Sequence, residues 1–146
     1  MALKKRGKYR YGDSQADIRA ELLRCTKKIA VDVDHFADAV CQCGRKVFRL
    51  ALDEAVGAAV CTCVACGAAH PIGDSNDYLK DAELEECACA CGHEEFEITV
   101  GLALYEDSED VKWLYLGCRC PKCGLTAPYA DWKNEYIGYK ELLARV

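Results

Sequence analysis

Twelve cysteines in 146 residues carry the chemistry of this sequence, and eight of them fall into four short pairs. The pairs are Cys41/Cys43, Cys63/Cys66, Cys89/Cys91 and Cys120/Cys123, each followed at once by glycine: Gly44, Gly67, Gly92 and Gly124. Two cysteines on one tight turn aim both sulfurs at a single ion. A second turn completes a tetrahedron with metal–sulfur arms of about 2.3 Å. Glycine after the second Cys suits a left-handed turn and leaves amide donors free to face the sulfurs. Soft thiolates in fours take zinc or iron. The spacing predicts two zinc ions per chain, with iron the less favoured metal. One ion is expected on Cys41, Cys43, Cys63 and Cys66, the other on Cys89, Cys91, Cys120 and Cys123.

Four cysteines are left over. Cys118 shares strand parity with Leu114 and Leu116, so it reads as a small core residue, as free cysteine commonly is. Cys61 stands at the same place before its own pair, and the same reading applies. Cys87 is an alternative to Cys89, giving a C-x-x-x-C loop. Cys25 lies on a predicted helix. A third site from Cys25, Cys61, Cys87 and Cys118 is arithmetically open, but these are scattered and the reading does not favour it.

The pattern repeats along the chain. Phe48 and Phe96 each follow the second Cys of their copy by five residues; Pro71 and Pro128 follow the last Cys by five, and Asp74 and Asp131 by eight. This register reads as an internal duplication. Between its Cys pairs each copy predicts a β-hairpin. In the second, Phe96, Ile98, Val100, Leu102 and Leu104 alternate with polar or small residues, residues 106–110 make a polar turn, and 111–118 return. The first is shorter, from 47–52 through a turn at 53–57 to 58–62.

These knuckles resemble those of zinc ribbons, and CPKCG is similar to the knuckle that zinc ribbons share with rubredoxins. The likeness covers roughly residues 41–73 and 89–130; it departs at the first knuckle of each copy, which is C-x-C where the family usually has C-x-x-C. The whole chain is similar to uncharacterised bacterial proteins of the same length with this tandem layout. The resemblance implies structural metal and no particular activity.

Catalytic alternatives fail on the residues. His93-Glu94-Glu95 with Cys120-Pro121-Lys122-Cys123 approaches the H-x-E … P-C-x-x-C pattern of zinc deaminases. Here, however, the proline lies inside the Cys pair, strand alternation follows the H-x-E, and the first copy has Arg45 in place of His93. A redox reading of C-P-K-C needs a helix beginning in the motif, and residues 124–128 do not read as one. His35 and His70 are lone histidines, read as structural. No phosphate loop or activated nucleophile stands out, so the chain is not expected to be an enzyme.

Charge points to binding. The first 28 residues carry a net +6 and the other 118 a net −11, within a total of −5. Two zinc tetrathiolates would add −2 each. An acidic body suits a basic protein partner, and the expected contact residues are Asp107, Glu109 and Asp110 with Tyr129, Trp132 and Tyr136, aromatics of the kind enriched at interfaces. The alternative is nucleic acid, gripped by Lys4, Lys5, Arg6, Lys8 and Arg10 interleaved with Tyr9 and Tyr11, and the second alternative is a zinc enzyme of unknown reaction. The N-terminus has no apolar run after its cations, and no segment is long and apolar enough for a membrane span. The expectation is a cytoplasmic protein with reduced cysteines.

The elements that must position these residues follow. Ser14 and Asp17 form a capping box for a helix to about Lys28, with Ile18, Leu22 and Cys25 on one face. A second helix is expected from about Gly138 to Arg145. The predicted fold class is α+β: two tandem zinc-ribbon hairpins, an N-terminal helix, and helical segments after each ribbon. The expected divisions are a basic arm and helix over 1–38, a first ribbon over 39–86 and a second over 87–146.

Overall fold

The computed structural model describes residues 3–33 and 35–146. Among them, ten strands form two antiparallel sheets. The larger has the order β1 (Lys4–Arg6), β2 (Tyr9–Tyr11), β10 (Leu125–Tyr136), β9 (Val111–Arg119), β8 (Glu97–Leu104), β3 (His35–Asp38). The smaller runs β6 (Ala69–Pro71), β5 (Ala58–Cys63), β4 (Phe48–Asp53), β7 (Glu85–Glu86). Both expected hairpins form within a residue or two of their predicted limits, as β4–β5 and β8–β9.

Period-two alternation sorts the larger sheet into two faces. Ile98, Val100, Leu102, Leu114, Leu116 and Cys118 face the smaller sheet and share one core with Phe48, Leu50, Cys61 and Ile72. The opposite face takes helix α1 (Gln15–Lys27), whose Ile18 and Leu22 pack with Val33, Ala103 and Tyr115. Asp17 reaches back to accept the N–H groups of Asp13 at 2.7 Å and Ser14 at 3.3 Å, which fixes the helix start. Gly117 lets the helix come close, since a Cβ there would lie 2.5 Å from Ile18 Cγ2.

The two halves are joined by exchange. Phe48 and Phe96 donate N–H to each other's carbonyls at 2.8 and 2.7 Å. The strand leading into the first knuckle, β3, pairs with β8 of the second half. The strand leading into the third knuckle, β7, pairs with β4 of the first. The adjoining residues match too: Ala39 N–H donates to Ile98 O and Cys87 N–H to Leu50 O, both at 2.9 Å.

The expected α+β class does not hold. Strand makes up 40% of the described residues against 17% helical, and α1 is the only helix of seven or more residues among them. After the first knuckle pair the predicted helical segment is two 3-10 turns, Ser75–Asp77 and Leu79–Asp81. After the second, Ala130, Trp132 and Asn134 point inward while Asp131, Lys133 and Glu135 point out, so the chain continues as the 12-residue β10. Only Tyr139–Leu143 (α2) is left for the C-terminal helix. The basic arm is a hairpin, with β2 extending the sheet beyond β10 at Tyr11↔Leu125. Among the described residues no helix is long and apolar enough to cross a membrane.

Candidate metal centres

Each centre is made by a pair of knuckles at the mouth of a hairpin, and the two are built from matching hydrogen bonds. Cys41 N–H donates to Arg45 O and Gly44 N–H to Cys41 O; Cys89 N–H donates to His93 O and Gly92 N–H to Cys89 O, all at 2.8 Å. On the other side, Gly67 N–H reaches Cys63 O at 2.9 Å and Gly124 N–H reaches Cys120 O at 2.7 Å. The four glycines take φ of +90°, +76°, +93° and +84° for Gly44, Gly67, Gly92 and Gly124, a region that side chains with a Cβ disfavour.

The turns bring the sulfurs together. Cys41, Cys43, Cys63 and Cys66 have all four Sγ atoms within 4.8 Å of one another, and so do Cys89, Cys91, Cys120 and Cys123. Closest approaches are 3.5 Å for Cys41–Cys66, 3.6 Å for Cys43–Cys63, 3.5 Å for Cys89–Cys123 and 3.7 Å for Cys91–Cys120. A tetrahedron with zinc–sulfur arms of about 2.3 Å has edges of about 3.8 Å. A disulfide would need about 2.05 Å, and all twelve cysteines are free. Each group could hold a metal ion.

Electrostatics point the same way. The Cys43 amide draws the Cys41 pKa down, but desolvation and the thiols of Cys66, Cys43 and Cys63 push it up to about 12. Cys63, facing the amides of Cys66 and Ala65, is drawn down to about 6 against desolvation. In the second centre desolvation leads in raising Cys89 to about 12, while the His93 amide leads in lowering Cys91 to about 7. Four thiols this close cannot all ionise without a cation among them. Bound metal would relieve that conflict, since it requires and stabilises the thiolates.

The leftover cysteines stay outside both groups. Cys61 and Cys118 are 1% and 0% exposed, and burial holds the Cys118 thiol well above its ordinary range, with Cys87 and Cys61 adding to the rise. Cys87 occupies the place that Ala39 takes in the other half, held by its N–H bond to Leu50. Cys25 is half-buried on α1, where its Sγ–H lies 3.7 Å from Glu21 Oε2. These four do not converge on a third site.

The expected partner-contact residues scatter. Trp132 is 5% exposed, within the core that joins the sheets, and a Cβ on Gly57 would lie 2.9 Å from its ring. It is interior, because β10 runs on and turns that side inward. Tyr129 stacks edge-on against Phe96 at 5.0 Å, and burial raises its hydroxyl pKa. The Tyr136 hydroxyl donates to Glu141 at 3.1 Å. Asp107 and Glu109 are exposed, and Asp110 is half-buried with its carboxylate accepting the Gly138 N–H at 3.1 Å.

One residue that reads as structural in the sequence lies at a centre: His70 Nε2 is 3.4 Å from Cys41 Sγ. The available signal is its place, four after Cys66, where the second copy has Ala127 four after Cys123. No protein-family model, curated protein or solved structure matches this chain.

Proposed function

We propose that each four-cysteine group holds one zinc ion in a closed structural site, and that the chain is a zinc-stabilised, non-enzymatic binding module built from two zinc-ribbon-like units. The observation that carries this is the pair of four-sulfur groups at near-tetrahedral spacing. Four protein thiolates leave no open position for a substrate or water, which is how structural sites differ from catalytic ones. The test is native mass spectrometry on protein purified without added metal. Two zinc ions are expected; Cys123→Ser should keep one, and Cys118→Ala both. One ion or three in the parent would defeat the ligand scheme, and iron would show by its mass and colour.

For the partner we favour a basic protein. An open concavity of about 910 Å³ is lined by Asp32, Glu106, Asp107 and Glu109, with Lys112 and His35 at its side. A second reading, nucleic acid, has its own support. Register places Lys4, Arg6, Tyr9 and Tyr11 on one face of the β1–β2 hairpin, beside Lys122 of the last knuckle. Salt titration separates the two: phosphate-driven binding weakens log-linearly with a slope near the number of phosphates neutralised. A steep slope lost on replacing Lys4 and Arg6 would select the second reading.

A further inference from the structure

We propose that His70 belongs to the first metal centre as a hydrogen-bond donor to the Cys41 sulfur, and that it strengthens metal binding at that centre alone. This rests on the reading of the two four-cysteine groups as metal centres. The Nε2···Sγ separation of 3.4 Å lies in the range of an N–H···S bond. His70 is held there by its position on β6, opposite Cys61, and by an edge-on contact with Phe48 at 6.2 Å between ring centroids. The second centre has the same register, with Ala127 opposite Cys118. Ala127 brings no side-chain donor.

The donor matters because of the charge it meets. Four thiolates around a divalent ion leave a net charge of −2 on the cluster, most of it on sulfur. Backbone amides answer part of that charge in both centres; the Cys123 sulfur, for example, accepts the Leu125 N–H at 3.5 Å. Among the described residues, only the first centre has an imidazole nitrogen at a sulfur. A neutral imidazole carries one N–H, so the donor role requires the Nε2–H tautomer. Outer partners that orient and neutralise metal ligands are typically worth about 10–100-fold in metal affinity. His70→Ala is therefore expected to weaken the first centre about tenfold or more and to leave the second unchanged.

The experiment uses the full chain, first shown by native mass spectrometry to carry two ions. Cadmium-113 NMR resolves the two centres, and chelator competition followed on each resonance gives their separate affinities in parent and His70→Ala. Nitrogen-15 NMR of the zinc-loaded parent reads the His70 tautomer directly, so the proposal is still decided if the variant folds poorly. A protonated Nε2 with a loss confined to the first centre is the expected result. Equal loss at both centres, no loss at either, or an unprotonated Nε2 overturns the inference. Cobalt substitution adds a third arm: a tetrathiolate spectrum from both centres is expected, and a three-sulfur, one-nitrogen spectrum from the first would make His70 a ligand, overturning the donor role. A parent that takes up no metal defeats the metal reading itself, whereas two ions beside an indifferent His70 defeats this inference alone.

Discussion

At the scale of single residues, strand parity and the point where a strand stops together decide most roles. Cys118 and Cys120 are two apart at one strand end, yet one packs with Leu116 in the core and the other turns into a knuckle, because the strand stops between them at Arg119. That much is legible from alternation and from the glycine after Cys123. His70 is not, because a histidine's role depends on what the fold sets against it. Asp74 is another such case. It is 5% exposed and accepts the Asn134 amide at 2.9 Å, while Asn134 Oδ1 has no hydrogen-bond partner among the described residues. Desolvation raises the Asp74 pKa against that hydrogen bond, with Asp77 adding to the rise and Arg145 opposing it. The folded state thus keeps this proton to higher pH than the unfolded chain, and the residue's contribution to stability is lost as pH rises through the folded value. Asp74→Asn removes the dependence and offers an N–H to Asn134 Oδ1. Urea titrations should show a gain of about 1 kcal/mol at neutral pH, shrinking toward acid; a loss of the same size at every pH would contradict the account.

At the scale of elements, those with their own periodicity are readable and those defined by a distant partner are not. The β8–β9 hairpin and α1 announce themselves by alternation and by the Asp17 cap. Strand β7 is two glutamates, and nothing local distinguishes them from a solvated acidic run; they are a strand because β4 lies alongside. The alternation through 131–135 is present in the sequence, but Trp132, between two charged neighbours, reads there as a partner-contact residue, when such flanking is what a strand with one wet face shows. Close packing of α1 likewise depends on a residue that says little in sequence. Gly117→Val would drive side-chain atoms into Ile18 and Leu22. Overpacking of this kind costs about 1–3 kcal/mol, and the loss should appear in urea denaturation with the metal content unchanged. A neutral result would mean that α1 can ride higher on the sheet than the structure places it.

At the scale of the whole molecule, the basic hairpin occupies the β1 edge of the larger sheet, and the acidic concavity lies at the other side, against β3 and the 106–110 turn. The sequence shows the imbalance of charge but not its geography, since that depends on strand order. The two halves differ less in build than in length: 31 residues separate first and third cysteines in one and 22 in the other, yet the knuckle hydrogen bonds correspond.

The reciprocal placement of β3 and β7 gives the chain the logic of an obligate pair held on a tether. Divided after Asp81, the larger sheet takes β1, β2 and β3 from the first part and the smaller sheet takes β7 from the second, and the two parts meet head-on at Phe48 and Phe96. The covalent link between them then acts mainly by raising effective concentration, while the contacts that specify the arrangement run between the halves. Cutting the backbone between Asp81 and Ala82, after the second 3-10 turn, leaves β3 on one fragment and β7 on the other. The nicked protein is expected to run as one species and keep both ions, whereas either fragment alone should expose an unpaired edge and self-associate. Size-exclusion chromatography of the cut protein, and of the fragments before and after mixing, reads this directly; two fragments that part as stable, metal-loaded monomers would show that the halves never needed each other.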